Sequence, residues 1–368
     1  MIITIKKKLQ LIFKEISSEI FKILYGKIDK IEFNSEKLKT INSKFDLNSD
    51  YKIYLVNNSR IYTDTINNTA IIRDNKLIEG PSFQIKDAKF LDITNNVVLQ
   101  NGTPRLKKNL KGTVFSLLTG GAGNFNYWHW IFDVLPRINI LKNSYDLDKV
   151  NYFLLPNLNK HFQNETLNLL KIPPERRLSS IKYRHIDADQ IITTDHPYVF
   201  KNDASNEIQN LPNWIIHWLR NSFLNEKESE NKSFPKKIYI DRSDAKSNHR
   251  EDRKIINEKE IIEKLKLNDY KIIRLADLKF IDQVKTFFNA DKIIGLHGAG
   301  FANLIFCKPN ANILEIKPSG DENVIRNLAN NLNLNFKSLS LKPVNNNYYG
   351  NNGHLEVKFQ DIQKIFNV

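Results

Sequence analysis

With 368 residues the chain exceeds the usual size of one compact domain, and about 150 residues per domain points to two. Its 41% hydrophobic and 26% charged residues exclude wholesale disorder and collagen-like or low-complexity classes, while its single cysteine, Cys307, excludes a disulfide framework or a cysteine-built zinc site and fits a reducing, cytoplasmic compartment. A net charge of +14 draws a polyanion, a phosphorylated small molecule or an anionic membrane surface, and equally reflects a chain rich in Lys, Asn and Ile.

Residues 1–30 lack the uninterrupted apolar run of about 18 residues that a membrane span needs, and charges break the apolar centre that a signal peptide needs. Leu9, Ile12, Phe13, Ile16, Ile20, Ile23 and Leu24 recur at helical spacing beside Lys6, Lys7, Lys8 and Lys14, which predicts a basic amphipathic helix. It docks onto its own domain or lies on an anionic membrane.

From about 50 to 100 the pattern predicts short strands between Asn/Asp turns, at Tyr51–Val56, Thr69–Arg73 and Val97–Leu99. Strand and helix then alternate: strand Thr113–Leu118, helix Phe125–Leu141, strand Tyr152–Leu155, and helix His161–Lys171 stopped by Pro173-Pro174. A helix over Glu207–Leu224 runs into the charged stretch Asn225–Pro235, and a linker is placed at 227–235. Beyond it come strands at Lys237–Ile240, Lys271–Arg274, Lys292–Gly295, Ile313–Ile316 and Phe336–Leu339, separated by helices near Glu258–Leu265, Ile281–Asn289, Gly300 and Asn323–Asn331. Such alternation implies an α/β fold with a parallel sheet, which binds ligands at the carboxyl ends of its strands. The expected organisation is an amphipathic helix (1–30), a first α/β domain (31–226), the linker, a second α/β domain (236–345) and a tail (346–368) returning to the first domain.

Three segments carry chemistry. In Gly295-Leu-His-Gly-Ala-Gly-Phe-Ala-Asn303, the small residues Gly298, Ala299 and Gly300 let backbone approach a ligand, and a helix starting there aims amides at a phosphate. The segment has neither the Lys and hydroxyl of a Walker loop nor G-x-G-x-x-G spacing, so ATPase and ordinary dinucleotide readings lose ground. His297 sits inside it, and Glu315, between apolar neighbours on the next strand, needs a partner such as a ribose diol or a cation. Arg242 directly follows a strand and Arg253 lies on the same loop, where a guanidinium grips phosphate oxygens in two places at once.

The third segment is Gly120–Arg137. In a helix from Phe125, His129 and Asp133 are four apart and share a face, so the carboxylate holds and polarises the imidazole as a general base requires. Trp128 and Trp130 beside it fill a core or stack on sugar rings. No H-E-x-x-H, cysteine cluster or Asp-x-Asp suggests a metal, and no nucleic-acid motif interleaves the basic patches with aromatic platforms.

These segments, in this order, resemble glycosyltransferase family 61, whose bacterial members are often described as capsular polysaccharide biosynthesis proteins. The likeness rests on Asn126-x-x-His129-Trp130-x-x-Asp133-x-Leu-Pro-Arg137, then Arg242 with Arg253-x-Ile-x-Asn257-Glu258, then Gly295-x-His297-Gly-Ala-Gly300-x-x-Asn303 and Pro309 to Glu315. It covers about residues 113–318 and departs at Cys307-Lys308-Pro309-Asn310, where relatives often carry a Pro-Gly turn. The resemblance implies a GT-B architecture, two Rossmann-like domains facing across a cleft, and metal-independent inverting transfer from a nucleotide sugar, commonly UDP-linked. It implies no cofactor or metal and an acceptor hydroxyl on a surface glycan or lipid-linked glycan. The donor falls to Arg242, Arg253, His297, Gly298, Ala299, Gly300, Asn303 and Glu315, the proton to His129 oriented by Asp133 or to Asp133 itself, and the acceptor or sugar to Asn126, Trp128, Trp130 and Arg137. A non-catalytic nucleotide-sugar or anionic-glycan binding protein is the alternative; it would need neither His129 nor Asp133.

Overall fold

The computed structural model describes residues 15–33, 38–46, 49–119, 125–243, 253–320, 323–344 and 353–368. Most of the basic N-terminal run, Gly120–Asn124 and the loop containing Arg250 therefore lie outside the described residues. The chain forms two compact units, Met1–Glu207 and Ile208–Val368.

The second unit is the more regular. Its sheet consists of β12 (Lys237–Asp241), β13 (Lys271–Arg274), β14 (Lys292–Leu296), β15 (Asn312–Pro318) and β16 (Asn335–Leu341), in the order β13-β12-β14-β15-β16. Every pairing is parallel. Parallel strands covered on both faces read as near-continuous apolar runs, which is how β14 and β15 are buried. The helices Glu258–Lys266, Phe280–Asn289 and Val324–Asn331 alternate with these strands, each burying an apolar stripe. The chain runs from β12 out to β13 and then returns to the other side of β12 at β14, so the strand order reverses between β12 and β14.

The first unit is mixed. Parallel strands β8 (Lys108–Ser116), β9 (Tyr152–Leu155), β10 (Arg177–Ser179) and β11 (His185–Thr194) lie in the order β11-β8-β9-β10. Beyond β11 the sheet continues antiparallel through β3 (Ser49–Thr63), which pairs with β2 (Lys39–Asp46) and β4 (Asn68–Arg73). The short β1 (Lys30–Glu32), β5 (Lys76–Ile78), β6 (Phe83–Lys86) and β7 (Lys89–Phe90) complete its edge. The molecule is thus a mixed α/β protein compatible with a Rossmann-like glycosyltransferase.

Four expectations change. Val97–Leu99 opens a short helix at Val98–Asn101 instead of a strand: Asn96 accepts the Val98 amide through its side chain at 3.2 Å, and Gly102, at φ +62°, ends the turn. The division falls at Glu207/Ile208 and not at 227–235, because the helix Asn213–Phe223 and the charged stretch after it belong to the second unit. Arg220 donates to the Cys307 carbonyl at 2.9 Å, and Asn289 donates to the carbonyl of the buried Ser229 at 2.7 Å. The tail does not return to the first unit. Leu355, Val357, Phe359, Ile362 and Phe366 join the core of the second, Leu355 bridges Ile255, and Asn257 both donates to and accepts from Val357. Finally, the strand β11 has no counterpart among the predicted elements.

Candidate active site

In the second unit, the groups sit at the carboxyl edge where the strand order reverses. Arg242 follows β12 and His297 follows β14, so neighbouring strands deliver them to the same place. The Arg242 guanidinium donates to the His297 carbonyl, and Arg253 donates to the same oxygen at 2.8 Å. The turn after His297 is held down by the His297 amide, which donates to the Ile316 carbonyl at 2.8 Å. At Gly298 a Cβ would lie 2.7 Å from Cζ of Arg242, and at Gly300 one would lie 2.7 Å from Cδ1 of Leu275, so glycine at both positions lets these side chains close on the turn, and a larger residue would push them away. Ala299 begins the helical turn Ala299–Phe306 directly behind them.

His297 Nδ1–H donates to Glu315 Oε1, an atom of a carboxylate that is nearly sealed from solvent. Glu315 therefore orients the imidazole, and this pairing supplies the partner that a carboxylate between apolar neighbours needs. Asn303 is likewise fully buried: it donates to Gln283 Oε1 at 3.1 Å and the Gly300 carbonyl at 3.3 Å, pinning the turn rather than facing a ligand. Sequence reasoning gave Tyr239 and Glu258 no role of their own. Tyr239 donates to Glu258 at 2.6 Å, and burial pushes the Glu258 carboxyl up despite that hydrogen bond and the nearby Arg242 charge.

In the first unit the site is built on the segment 127–142. Asn126 caps it, its side chain accepting the Trp128 amide at 2.9 Å. The helix widens over Trp130–Val134, where the Leu135 amide reaches back five residues to the Trp130 carbonyl. Pro136 explains the widening. It has no N–H to offer, and its ring would crowd the carbonyl four residues earlier, which an opened turn relieves.

On this segment His129 Nδ1–H donates to Asp133 Oδ2 at 2.8 Å, and His129 keeps a quarter of its side chain exposed while Asp133 is buried. Burial works against the imidazolium, but the charge and hydrogen bond of Asp133 outweigh it and raise the His129 pKa above its usual value. A second imidazole, His196, places Nε2 3.8 Å from the same Asp133 oxygen; burial lowers its pKa to about 4, so it is neutral. Tyr198 packs edge-on against His196 with ring centroids 4.6 Å apart, and burial beside the Asp133 carboxylate pushes its hydroxyl well up. Neither residue was foreseen. The available signal was Asp195-His-Pro-Tyr198 directly after an apolar run ending at Thr194, a strand-end position.

Arg137 is not a ligand contact. It is buried and donates to Thr194 Oγ1 at 2.9 Å, Thr193 Oγ1 at 2.6 Å, the Thr194 carbonyl at 2.8 Å and the Leu118 carbonyl, tying the ends of β11 and β8 together; burial lowers its pKa to about 10. Trp130 is fully buried and donates to Thr166 at 2.9 Å, which makes it core. Trp128, 6% exposed, packs on Phe132 with centroids 4.6 Å apart. Of the first unit's predicted residues, the structure brings His129 and Asp133 together as expected and turns Asn126, Trp130 and Arg137 into scaffold. Among the described residues no group of three His, Cys, Asp or Glu side chains is arranged to hold a metal ion.

An α/β chain with cations gathered at the reversal point of a parallel sheet, and a carboxylate-held imidazole in its other unit, has the parts of a group-transfer enzyme. The Glycosyltransferase 61 family model matches residues 127–314, just over half of the chain and the span containing both clusters, and the chain belongs to that family. The protein is a glycosyltransferase. It is also similar to the EGF domain-specific O-linked N-acetylglucosamine transferases of Bos taurus (35% identical over 82 residues), Rattus norvegicus (36% over 82) and Drosophila melanogaster (36% over 80). Each match covers 21% of this chain, and the chain spans only about a sixth of these relatives' length.

Proposed function

We propose that the protein is an inverting, metal-independent glycosyltransferase that moves a sugar from a UDP-linked donor to a hydroxyl of a growing surface glycan such as capsule or lipopolysaccharide, in the cytoplasm. In this reading the two units act as the halves of a GT-B enzyme, the second holding the donor and the first preparing the acceptor. The observation that carries it is the convergence of Arg242 and Arg253 on the His297 carbonyl at the reversal point of the sheet, with Gly298 against the Arg242 guanidinium. Two fixed cations beside a glycine turn stabilise a departing diphosphate before it departs, the preorganised electrostatic contribution that usually dominates such catalysis. The relatives' name, O-linked N-acetylglucosamine transferase, supports a hydroxyl oxygen as acceptor.

The proton goes to His129. Its Nδ1–H is committed to Asp133, which leaves Nε2 to take the proton from the acceptor hydroxyl. The freed oxygen forms its bond to the anomeric carbon as the bond from that carbon to the diphosphate oxygen breaks, with its electron pair leaving on the nucleoside diphosphate. Attack opposite the leaving group inverts the centre. Neutral His196 beside Asp133 leaves the carboxylate's charge to the imidazolium that forms at His129.

A thermal-shift panel of nucleoside diphosphates tests the reading, since a ligand stabilises the fold that holds it. UDP raises Tm in the wild type, the rise survives chelator, and Arg242→Ala removes most of it. A rise that vanishes with chelator contradicts metal independence, and one that survives Arg242→Ala contradicts the donor site.

A further inference from the structure

We infer that the helix over residues 15–25 is an anchor that lays the protein on an anionic membrane surface. One side of this helix is committed to its own unit: Ser18 donates to the Asn101 carbonyl at 2.6 Å, and Tyr25 accepts the Lys107 amide at 3.1 Å. The other side is not. Ile16 is 57% exposed, Ile20 50%, Ile23 85% and Leu24 61%, and their spacing of four, three and one residues keeps them within about 100° of the helix circumference. Leu106, directly before the Lys107 that bonds Tyr25, is 75% exposed. Scattered apolar residues on a surface are ordinary, but a continuous row along one helix face marks something that covers it. The helices Asn213–Phe223 and Phe280–Asn289 bury theirs.

Charge selects the occupant. By sequence, residues 1–30 hold seven lysines against three acidic residues, and the excess lies in Lys6, Lys7, Lys8 and Lys14, directly before the helix, so the apolar row adjoins a cationic stretch. An anionic bilayer satisfies both features at once, receiving the row below its headgroups and attracting the lysines of the adjoining stretch. A second copy of the chain covering the row symmetrically would bring the lysines of both copies together. No described helix is long and apolar enough to cross a membrane, so the contact lies in the interface plane. This inference is independent of the identity of the donor.

Co-sedimentation of the full chain with vesicles of phosphatidylcholine alone, or mixed with phosphatidylglycerol, tests it. The wild type pellets with the mixed vesicles at least about tenfold better than with phosphatidylcholine, and rising salt weakens the binding. The double variant Ile20→Glu/Ile23→Glu loses that binding about tenfold or more while keeping the wild-type Tm and UDP affinity, because both positions face solvent; Ile20→Ser/Ile23→Ser, without added charge, loses it as well. A wild type that stays in the supernatant overturns the proposal, as does equal pelleting of the variants. So does a wild-type dimer in light scattering that the variants dissolve without any vesicle binding.

Discussion

The two units place their polar chemistry by different means. In the second, neighbouring parallel strands end in Arg242 and His297, and the arginines grip the backbone of the turn they stand beside. In the first, one buried carboxylate, Asp133, lies between an imidazole on its own helix and another from the end of β11, sixty-three positions further on. The first device is local to a motif and its immediate sheet neighbours. The second exists only once β11 has paired with β8 and Arg137 has tied their ends together.

The contrast predicts that the first unit is sensitive at its carboxylate and the second at its turn. Asp133→Asn cuts turnover at neutral pH by about 10²-fold or more, since an oriented base contributes about 10²–10⁴. The variant also moves the acidic limb of the pH–rate profile. With Asp133 present, His129 loses basicity only below a pKa raised above the ordinary 6.5, so activity declines as pH falls through that higher value. Without the carboxylate only burial acts on the imidazole, and the limb shifts to lower pH. An unmoved limb removes the pair from the proton transfer.

Gly298→Ala sharpens the other side. The added methyl would meet the far end of Arg242, a flexible side chain, so the fold survives while the guanidinium is displaced. UDP affinity falls about tenfold, the worth of about 1.4 kcal/mol, with Tm in the absence of ligand nearly unchanged. Titration calorimetry reads the affinity; unchanged binding means that the turn does not touch the donor.

Acid stability separates the units in melting temperature, with no effect on turnover or affinity at neutral pH. His196 and His185 are both buried neutral with pKa values lowered by burial to about 4. A depressed histidine contributes fully above the unfolded value of about 6.5 and loses that contribution as pH falls toward 4, roughly 3 kcal/mol for each group once both states are protonated. The His129 pair has the opposite sign: its raised pKa stabilises below about 6.5, and that support is lost as pH rises through the folded value. Melting curves between pH 7 and pH 4 therefore show net loss toward acid, and His185→Gln flattens the slope. A slope left unchanged by His185→Gln contradicts this assignment.

The sequence makes the second unit easy to read because its physics is local. Continuous apolar runs, each followed by an amphipathic helix, gave every one of its five strands to within two residues. What it concealed was which partner each polar residue would choose. Glu315 and His297 found each other, and Asn303 turned inward to Gln283. The charged stretch after Leu224 looks core-free, yet one small residue in it, Ser229, is buried and gripped by Asn289. The direction of the tail was equally hidden, since an apolar face does not name the core it will join. In the first unit His129 and Asp133 were legible from an i, i+4 spacing alone. Arg137, Trp130 and Asn126 stand in the same motif, and only their partners in the folded chain, the strand ends for Arg137, Thr166 for Trp130 and the Trp128 amide for Asn126, show that they hold the helix.

The central claim is a division of labour, and measuring turnover and UDP affinity together for His129→Ala and Arg242→Ala tests it most directly. The account predicts that His129→Ala loses about 10²–10⁴-fold in kcat while binding UDP within about twofold of wild type, and that Arg242→Ala loses UDP affinity together with about 10²–10³-fold in kcat. Wild-type turnover in His129→Ala, or wild-type UDP affinity in Arg242→Ala, would contradict it.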